Sequence, residues 1–245
     1  MWYRTRNQRT YVRKLNVSLK VFFKTPLQQR KLLTALKLHD SKFRRHFDLS
    51  YIQNLHLLDL ELPCGFISLP QSLVALKIPG HVLNGICVPR FLQRLEITQS
   101  MWCNLLSEIV LNNHTCLKTL LFHKYVCVQK LLLPPNLVHL QLPYVDVPIA
   151  AFPESLQILE FGNYEHAVDT LPPRLREWDM GQNWSHRLPN LPNTLEKLRV
   201  SRWLSRDLGV LPPSLTSLQF YNFLDYEEFT QSDHPSVHLA SFIVK

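Results

Sequence analysis

The chain of 245 residues has little glycine and no long apolar run, and each shortage argues against a class of protein. Six glycines are few for phosphate-binding loops, and no glycine-rich loop, HExxH or GxSxG signature appears. The sequence has no run of about 18 apolar residues and no apolar stretch near its start, so it predicts neither a membrane-spanning helix nor a secretory signal. We therefore expect no catalytic residues and a protein that is not an enzyme.

Cysteine is scarce and irregularly placed. The five cysteines are Cys64, Cys87, Cys103, Cys116 and Cys127. Their number is odd and no two form a CxxC pair, which argues against a disulfide framework or a zinc site. The sequence thus predicts no metal and no cofactor, and it favours a reducing intracellular location, cytoplasmic or nuclear.

What the chain has instead is a phrase of the form Leu-Pro-x-x-Leu-x-x-Leu-x-apolar. We call the leucine that follows Leu-Pro-x-x the register leucine. The register leucines are Leu55, Leu73, Leu92, Leu117, Leu137, Leu156, Leu175, Leu195 and Leu215. They recur every 18 to 20 residues, apart from one step of 25 that contains residues 100–116. A fixed period of this size is typical of a solenoid, whose repeats bury their apolar faces against their neighbours.

The spacing within the phrase predicts the fold. Apolar residues at the register leucine, three residues on and five residues on have the spacing of a leucine-rich repeat, and the closing alternation indicates a strand with one buried face. Proline three residues before most of the register leucines suits an extended return better than a helix. We predict a leucine-rich-repeat solenoid: a curved parallel β-sheet of about nine strands, mostly irregular or extended convex segments, and an N-terminal helical cap.

Two copies of the phrase continue with a glycine and an aromatic residue. They read Leu156-Gln-Ile-Leu-Glu-Phe-Gly162 with Tyr164, and Trp178-Asp-Met-Gly181 with Trp184. This text resembles the FNIP repeat, a leucine-rich-repeat variant common in social amoebae and in large DNA viruses of amoebae. More weakly, residues 188–195 resemble the LPX repeats of bacterial effectors. Either resemblance implies a repeat scaffold for protein–protein interaction.

In ordinary leucine-rich repeats, asparagine stands three residues after the last apolar residue of each strand. In this chain that position is mostly apolar or aromatic. It keeps asparagine at Asn183 and otherwise holds His81, Tyr125, Val145, Tyr164, Trp203 and Phe223. We interpret these residues as a row of aromatic packing that replaces the row of hydrogen-bonded asparagines. The alternative is that these side chains only fill the core.

Charge is concentrated at one end of the chain. Residues 1–50 hold 13 Lys and Arg against two Asp, a net charge of +11, whereas the other 195 residues have a net charge of −3. We predict a helix over residues 26–47 from the spacing of its apolar residues, and a strand or extended arm over residues 15–21 from their alternation. The predicted domains are a basic, partly helical cap (1–50), nine repeats (51–223) and a C-terminal cap or tail (224–245).

Three interpretations of residues 1–50 stay open. The first is a cap that covers the end of the solenoid. The second is a docking domain, because some FNIP-repeat proteins carry an F-box that recruits ubiquitin-ligase machinery, and Thr25-Pro26-Leu27 followed by Leu32, Leu33 and Leu36 resembles part of one. The third is a patch that binds nucleic acid or an acidic membrane.

The outward strand positions differ from repeat to repeat while the inward positions stay apolar, which is typical of a binding scaffold. We predict a protein partner on this concave face, with the chain as a recognition scaffold and possible adaptor that has no small-molecule substrate. The candidate protein-binding residues are Glu96, Glu160, Glu177, Asp179, Lys197, Arg199, Trp203 and Tyr221. An acidic stretch (Glu160, Glu177, Asp179) lies beside a basic one (Lys197, Arg199). These charges form a docking site or pair with each other across the strands.

Overall fold

A computed structural model describes residues 14–39, 47–61, 67–98, 109–123, 130–144, 147–201, 208–221 and 238–239. The chain divides into two compact units, Met1–Trp102 and Cys103–Lys245, which we call the N-terminal and C-terminal units. The division falls inside the long step between Leu92 and Leu117, where the sequence interrupts the repeat. Each unit is built on a parallel β-sheet of repeating strands.

The described part of the N-terminal unit opens, at Lys14, with a strand, two short helices and a second strand. Its helices are α1 (Leu19–Lys24) and α2 (Leu27–Arg30), and a 3₁₀ helix covers Gly80–Gly85. Its strands are β1 (Lys14–Ser18), β2 (Ala35–His39), β3 (Phe47–Asp48), β4 (Leu57–Glu61), β5 (Ile67–Ser68), β6 (Ala75–Pro79) and β7 (Arg94–Thr98). The main sheet has the order β1-β2-β4-β6-β7, all parallel, and β3 pairs with β5 beside it.

The C-terminal unit repeats the same plan. Its strands are β8 (Ile109–Val110), β9 (Thr119–Phe122), β10 (Leu131–Leu132), β11 (His139–Leu142), β12 (Ile158–Phe161), β13 (Glu177–Asp179), β14 (Lys197–Val200), β15 (Ser217–Phe220) and β16 (His238–Leu239). The main sheet has the order β9-β11-β12-β13-β14-β15-β16, all parallel, and β8 pairs with β10. The predicted leucine-rich-repeat solenoid with little helix is confirmed.

The Leu-Pro phrase forms a tight turn that delivers each register leucine to the core. The Leu175 amide donates to the carbonyl of Pro172 at 3.1 Å, and the same bond recurs in every copy that has the proline. Copies without it make the same turn, for example from Leu117 to the carbonyl of His114 at 3.0 Å. All nine register leucines are buried. Burying one such side chain contributes about 1.5 to 3 kcal/mol, so the repeated leucines supply much of the driving force for folding.

A ladder of side-chain hydrogen bonds, which the sequence did not predict, joins successive turns. The residue before the register leucine donates to the carbonyl of the preceding register leucine: Thr194 to Leu175 at 2.8 Å, and Ser155 to Leu137 at 2.7 Å. Ser72 and Ser214 make the equivalent bonds to Leu55 and Leu195. The signal is visible in the sequence as a recurring Ser or Thr in front of the register leucine.

The predicted helix over residues 26–47 is wrong at Ala35–His39, which is a strand paired with β1 on one side and β4 on the other; α2 ends at Arg30, and residues 40–46 lie outside the described residues. Leu33, Leu36 and Leu38 are buried and have the repeat's own spacing. The spacing of three residues between Leu33 and Leu36 fits a helix and a repeat equally well, and Leu38 decides for the repeat. The predicted arm is a strand only as far as Ser18, since α1 follows directly.

The aromatic row is described at two of its positions. Tyr164 is buried and stacks on Phe161 with ring centroids 4.6 Å apart, while Trp184, one residue after Asn183, stacks on the same ring at 5.7 Å. Asn183 donates its amide to the side-chain oxygen of Asn163. Aromatic packing and a polar contact therefore lie together at these two turns. Tyr125, Val145, Trp203 and Phe223 lie outside the described residues, as does the side chain of His81.

Candidate functional site

The side chains that alternate with the core along each strand form what we call the open face of each sheet. Parallel pairing stacks equivalent residues into rows. In the C-terminal unit one row runs His139, Ile158, Glu177, Lys197 and Ser217, and the next runs Gln141, Glu160, Asp179, Arg199 and Gln219. The rows bring together five of the candidate residues: Glu160, Glu177, Asp179, Lys197 and Arg199.

These rows border a groove of about 330 Å³, which we call the C-terminal groove. It is lined by residues of β12 to β15, and its floor includes the buried Trp178. The acidic and basic stretches of the sequence are neighbouring strands here. Opposite charges therefore lie side by side on the face that lines the groove.

Asp179 is the centre of a hydrogen-bonded network in this groove. Its carboxylate accepts from Nη1 of Arg199 at 2.8 Å, from the hydroxyl of Tyr221 at 2.8 Å and from the backbone amide of Gly181 at 2.8 Å. Burial raises the pKa of Asp179 above its ordinary value, although these three donors act in the opposite direction. The carboxylate is thus fixed in place by its surroundings.

Arg199 is held from three sides. Besides Asp179, it donates from Nε and Nη2 to the amide oxygen of Gln219, at 3.0 and 2.8 Å. Its guanidinium carbon lies 5.5 Å from the centre of the Tyr221 ring, within the range of a cation–π contact. Burial raises the pKa of Tyr221 to about 12, and the charge of Asp179 adds to the effect. The network therefore presents an ordered arginine, a tyrosine and a carboxylate.

The more exposed charges of the groove pair loosely. Nζ of Lys197 lies 2.8 Å from Oε1 of Glu177, and both side chains are at least 40% exposed. Their bond to each other raises the pKa of Lys197. Glu160 lies 3.4 Å from Nε2 of His139. Exposed pairs of this kind contribute about 0 to 1 kcal/mol, so these charges can exchange partners at little cost.

The candidate residues do not form one site. Glu96 belongs to the N-terminal unit, where its carboxylate lies 2.7 Å from Nε of Arg94 and 4.0 Å from Nζ of Lys77. Tyr221 joins the C-terminal groove through Asp179 and Arg199. Trp203 lies outside the described residues.

A second groove, which the sequence did not predict, lies on the open face of the N-terminal unit. It has a volume of about 690 Å³ and is lined by residues from Lys14 in β1 to Glu96 in β7. Its charges alternate in sign and pair, with Nζ of Lys37 at 3.2 Å from Asp59 and 2.6 Å from Glu61. The groove was missed because β1 and β2 were not recognised as strands of the repeat. The spacing of Leu33, Leu36 and Leu38 was the available signal.

In the part of the chain that the structure describes, the His, Cys, Asp and Glu side chains include no group of three or more that could hold a metal ion. Cys87 and Cys116 are free thiols. No described helix is long and apolar enough to cross a membrane. Leu33 and Leu36, which contributed to the F-box resemblance, are buried in the core of the repeat.

No family model matches the sequence, and no curated protein matches it. Among solved structures, the chain is similar to YopM from Yersinia enterocolitica WA-314, with 23% identity, a TM-score of 0.44, and coverage of 78% of this chain and 38% of that one. It is also similar to CroV588, described as a circular leucine-rich-repeat protein, with 17% identity, a TM-score of 0.45, and coverage of 87% of this chain and 43% of that one. The chain thus spans less than half the length of either. Its strand register and buried leucines make it a leucine-rich-repeat solenoid by fold.

Proposed function

We propose that the chain is a non-enzymatic scaffold that binds another protein through the C-terminal groove. The observation that carries this proposal is the network of Asp179, Arg199 and Tyr221. Arginine and tyrosine are enriched among the few residues that dominate the binding energy of protein interfaces, and side chains that are ordered before the partner arrives lose less entropy on binding. Here Arg199 is fixed by Asp179, by Gln219 and by the Tyr221 ring.

The two sides of each strand support the proposal, because one side forms the core and the other is open to a partner. The buried row of each strand is uniformly apolar, whereas the open face changes chemistry from strand to strand. The exposed acids Glu160 and Glu177 and the exposed base Lys197 surround the ordered network. A partner with both basic and acidic side chains would complement this face. In this proposal the chain is the recognition part of a larger assembly, as an adaptor is.

Site-specific photocrosslinking tests the proposal with the full chain. A photoreactive amino acid at Ser217, which lines the C-terminal groove, is compared with one at Val210, which is 93% exposed. We expect a discrete protein adduct from position 217 and none of the same mass from position 210. Adducts that are equal at both positions, or absent at 217, would contradict groove binding.

A further inference from the structure

The segment between β1 and β2 has an exposed surface whose composition differs from that of both grooves. On α1, Leu19 and Phe22 are buried, which leaves Lys20, Val21, Phe23 and Lys24 exposed. Three further residues extend this exposed surface: Leu27 lies in α2, and Lys31 and Leu32 follow it. Val21 is 49% exposed, Phe23 44%, Leu27 48% and Leu32 47%. We call the exposed side chains of residues 20–32 the basic-apolar patch.

Arg30 joins the two short helices into one surface. Its guanidinium carbon lies 5.3 Å from the centre of the Phe22 ring and 6.0 Å from that of Phe23, both on α1. It also donates to the hydroxyl of Tyr51 at 2.7 Å and to the carbonyl of Thr25 at 3.0 Å. These contacts tie α2 to α1 and to the following repeat. The exposed side chains therefore lie on a segment that these contacts hold in place.

The patch is positively charged and has no acid of its own. Residues 14–39 contain no Asp or Glu, and the sequence on either side adds many more bases than acids. In this unit the described acids Asp59, Glu61 and Glu96 pair with bases of the open face, and Asp48 accepts from the amide of Ser50. Within the described residues, Lys20, Lys24 and Lys31 make no ion pair. Their charge is available to an anionic partner.

We propose that the basic-apolar patch binds the surface of an anionic lipid bilayer. Exposed lysines are attracted to acidic headgroups, and aliphatic or aromatic side chains between them can enter the boundary with the acyl chains. Stable attachment to a membrane generally needs two such signals, and the patch holds both. A nucleic acid would use the lysines through counterion release but would leave Val21, Leu27 and Leu32 exposed to water. This site is separate from the C-terminal groove and does not depend on the function proposed for it.

Vesicle co-sedimentation of the full chain tests the proposal. Vesicles of phosphatidylcholine alone are compared with vesicles that also contain phosphatidylserine, at low and at high salt. We expect binding to the anionic vesicles that weakens with salt, and little binding to the neutral ones. Equal binding to both kinds of vesicle, or no binding to either, would overturn the proposal.

Two variants separate the two signals. Lys20→Gln with Lys24→Gln and Lys31→Gln is expected to weaken binding on the order of 100-fold. Val21→Ser with Leu27→Ser is expected to weaken it roughly tenfold. The matched controls change exposed residues elsewhere: Arg90→Gln with Lys118→Gln and Lys130→Gln, and Phe91→Ser with Val210→Ser. Controls that weaken binding as much as the patch variants would place the membrane contact elsewhere and overturn the proposal.

Competition with a single-stranded oligonucleotide provides the remaining comparison. If the patch is a nucleic-acid site, the oligonucleotide will displace the vesicles, its affinity will depend on the three lysines, and the serine variant will bind it normally. That outcome overturns the lipid proposal. Melting temperatures within a few degrees of the parent chain will show that each variant is folded.

Discussion

The hydroxyl of Tyr221 lies 2.8 Å from each carboxylate oxygen of Asp179, although the two residues are 42 positions apart in the sequence. Arg199, on the strand next to that of Asp179, lies between them in the chain and contacts both. Three successive repeats thus contribute to one polar network on the open face. The network stabilises the C-terminal unit and also presents the residues we propose for binding, so the two roles must be measured separately.

Removing Asp179 should cost stability. Asp179→Ala leaves the guanidinium of Arg199, the hydroxyl of Tyr221 and the amide of Gly181 without their acceptor. We expect a loss of about 2 kcal/mol in the free energy of unfolding, measured by urea denaturation. Glu177→Ala is the matched control, because its partner Lys197 is exposed; it should cost less than about 0.5 kcal/mol. Equal losses in the two variants would show that Asp179 is no more important than a surface carboxylate.

The raised pKa of Tyr221 predicts an alkaline dependence of stability. The unfolded chain binds fewer protons than the folded one between the ordinary tyrosine pKa of 10.0 and the folded value of about 12. Stability contributed by this group is therefore complete below pH 10 and declines as the pH rises toward 12. The stability difference between the parent chain and Tyr221→Phe should shrink over that range. A difference that stays constant would mean that Tyr221 titrates normally.

The side-chain ladder between turns predicts a cost for losing one hydroxyl. Thr194→Val keeps the shape of the side chain but leaves the carbonyl of Leu175 without its donor. We expect a loss of about 1 kcal/mol in the free energy of unfolding, by the same denaturation measurement. Thr170→Val changes an exposed threonine outside the ladder and should have little effect. If the two variants are equally stable, the ladder contributes nothing.

Two glycines have left-handed backbone conformations, and replacing each with alanine should reduce stability by a different amount. Gly181 has φ +74°, and a Cβ there would overlap the carbonyl oxygen of Gly162. Gly209 has φ +61°, and a Cβ there would meet open space. Gly209→Ala should lower the free energy of unfolding by about 1 kcal/mol because of the backbone conformation alone. Gly181→Ala should lower it further, because its Cβ would also overlap the carbonyl oxygen of Gly162. Thermal denaturation of both variants gives the comparison, and equal costs would contradict a close approach at Gly181.

The sequence predicted the solenoid because the register leucines recur at a nearly fixed period, and all nine of them are buried. It did not predict β2, since the spacing of Leu33 and Leu36 is shared by helices and by this repeat. The register placed Glu177 beside Lys197, and their pairing across the strands was one of the two alternatives that the sequence left open. The network of Asp179, Arg199 and Tyr221 did not follow from it, because side-chain direction and burial decide which charges meet. The sequence did not predict the exposed apolar residues near Arg30 for a related reason: Leu27 and Leu32 are among the apolar residues whose spacing predicts a longer helix, and an amphipathic helix buries its apolar side.

The most direct test of binding through the C-terminal groove is the dissociation constant of the crosslinked partner for a charge-reversed chain. The groove variant carries Glu160→Lys, Glu177→Lys and Lys197→Glu, all at exposed or half-buried positions. The control carries Glu154→Lys, Asp169→Lys and Arg174→Glu, three exposed residues outside the groove with the same change in net charge. We predict that the groove variant weakens binding by at least roughly tenfold, with the control unchanged. Equal affinities for the groove variant and the parent chain would contradict binding through this groove.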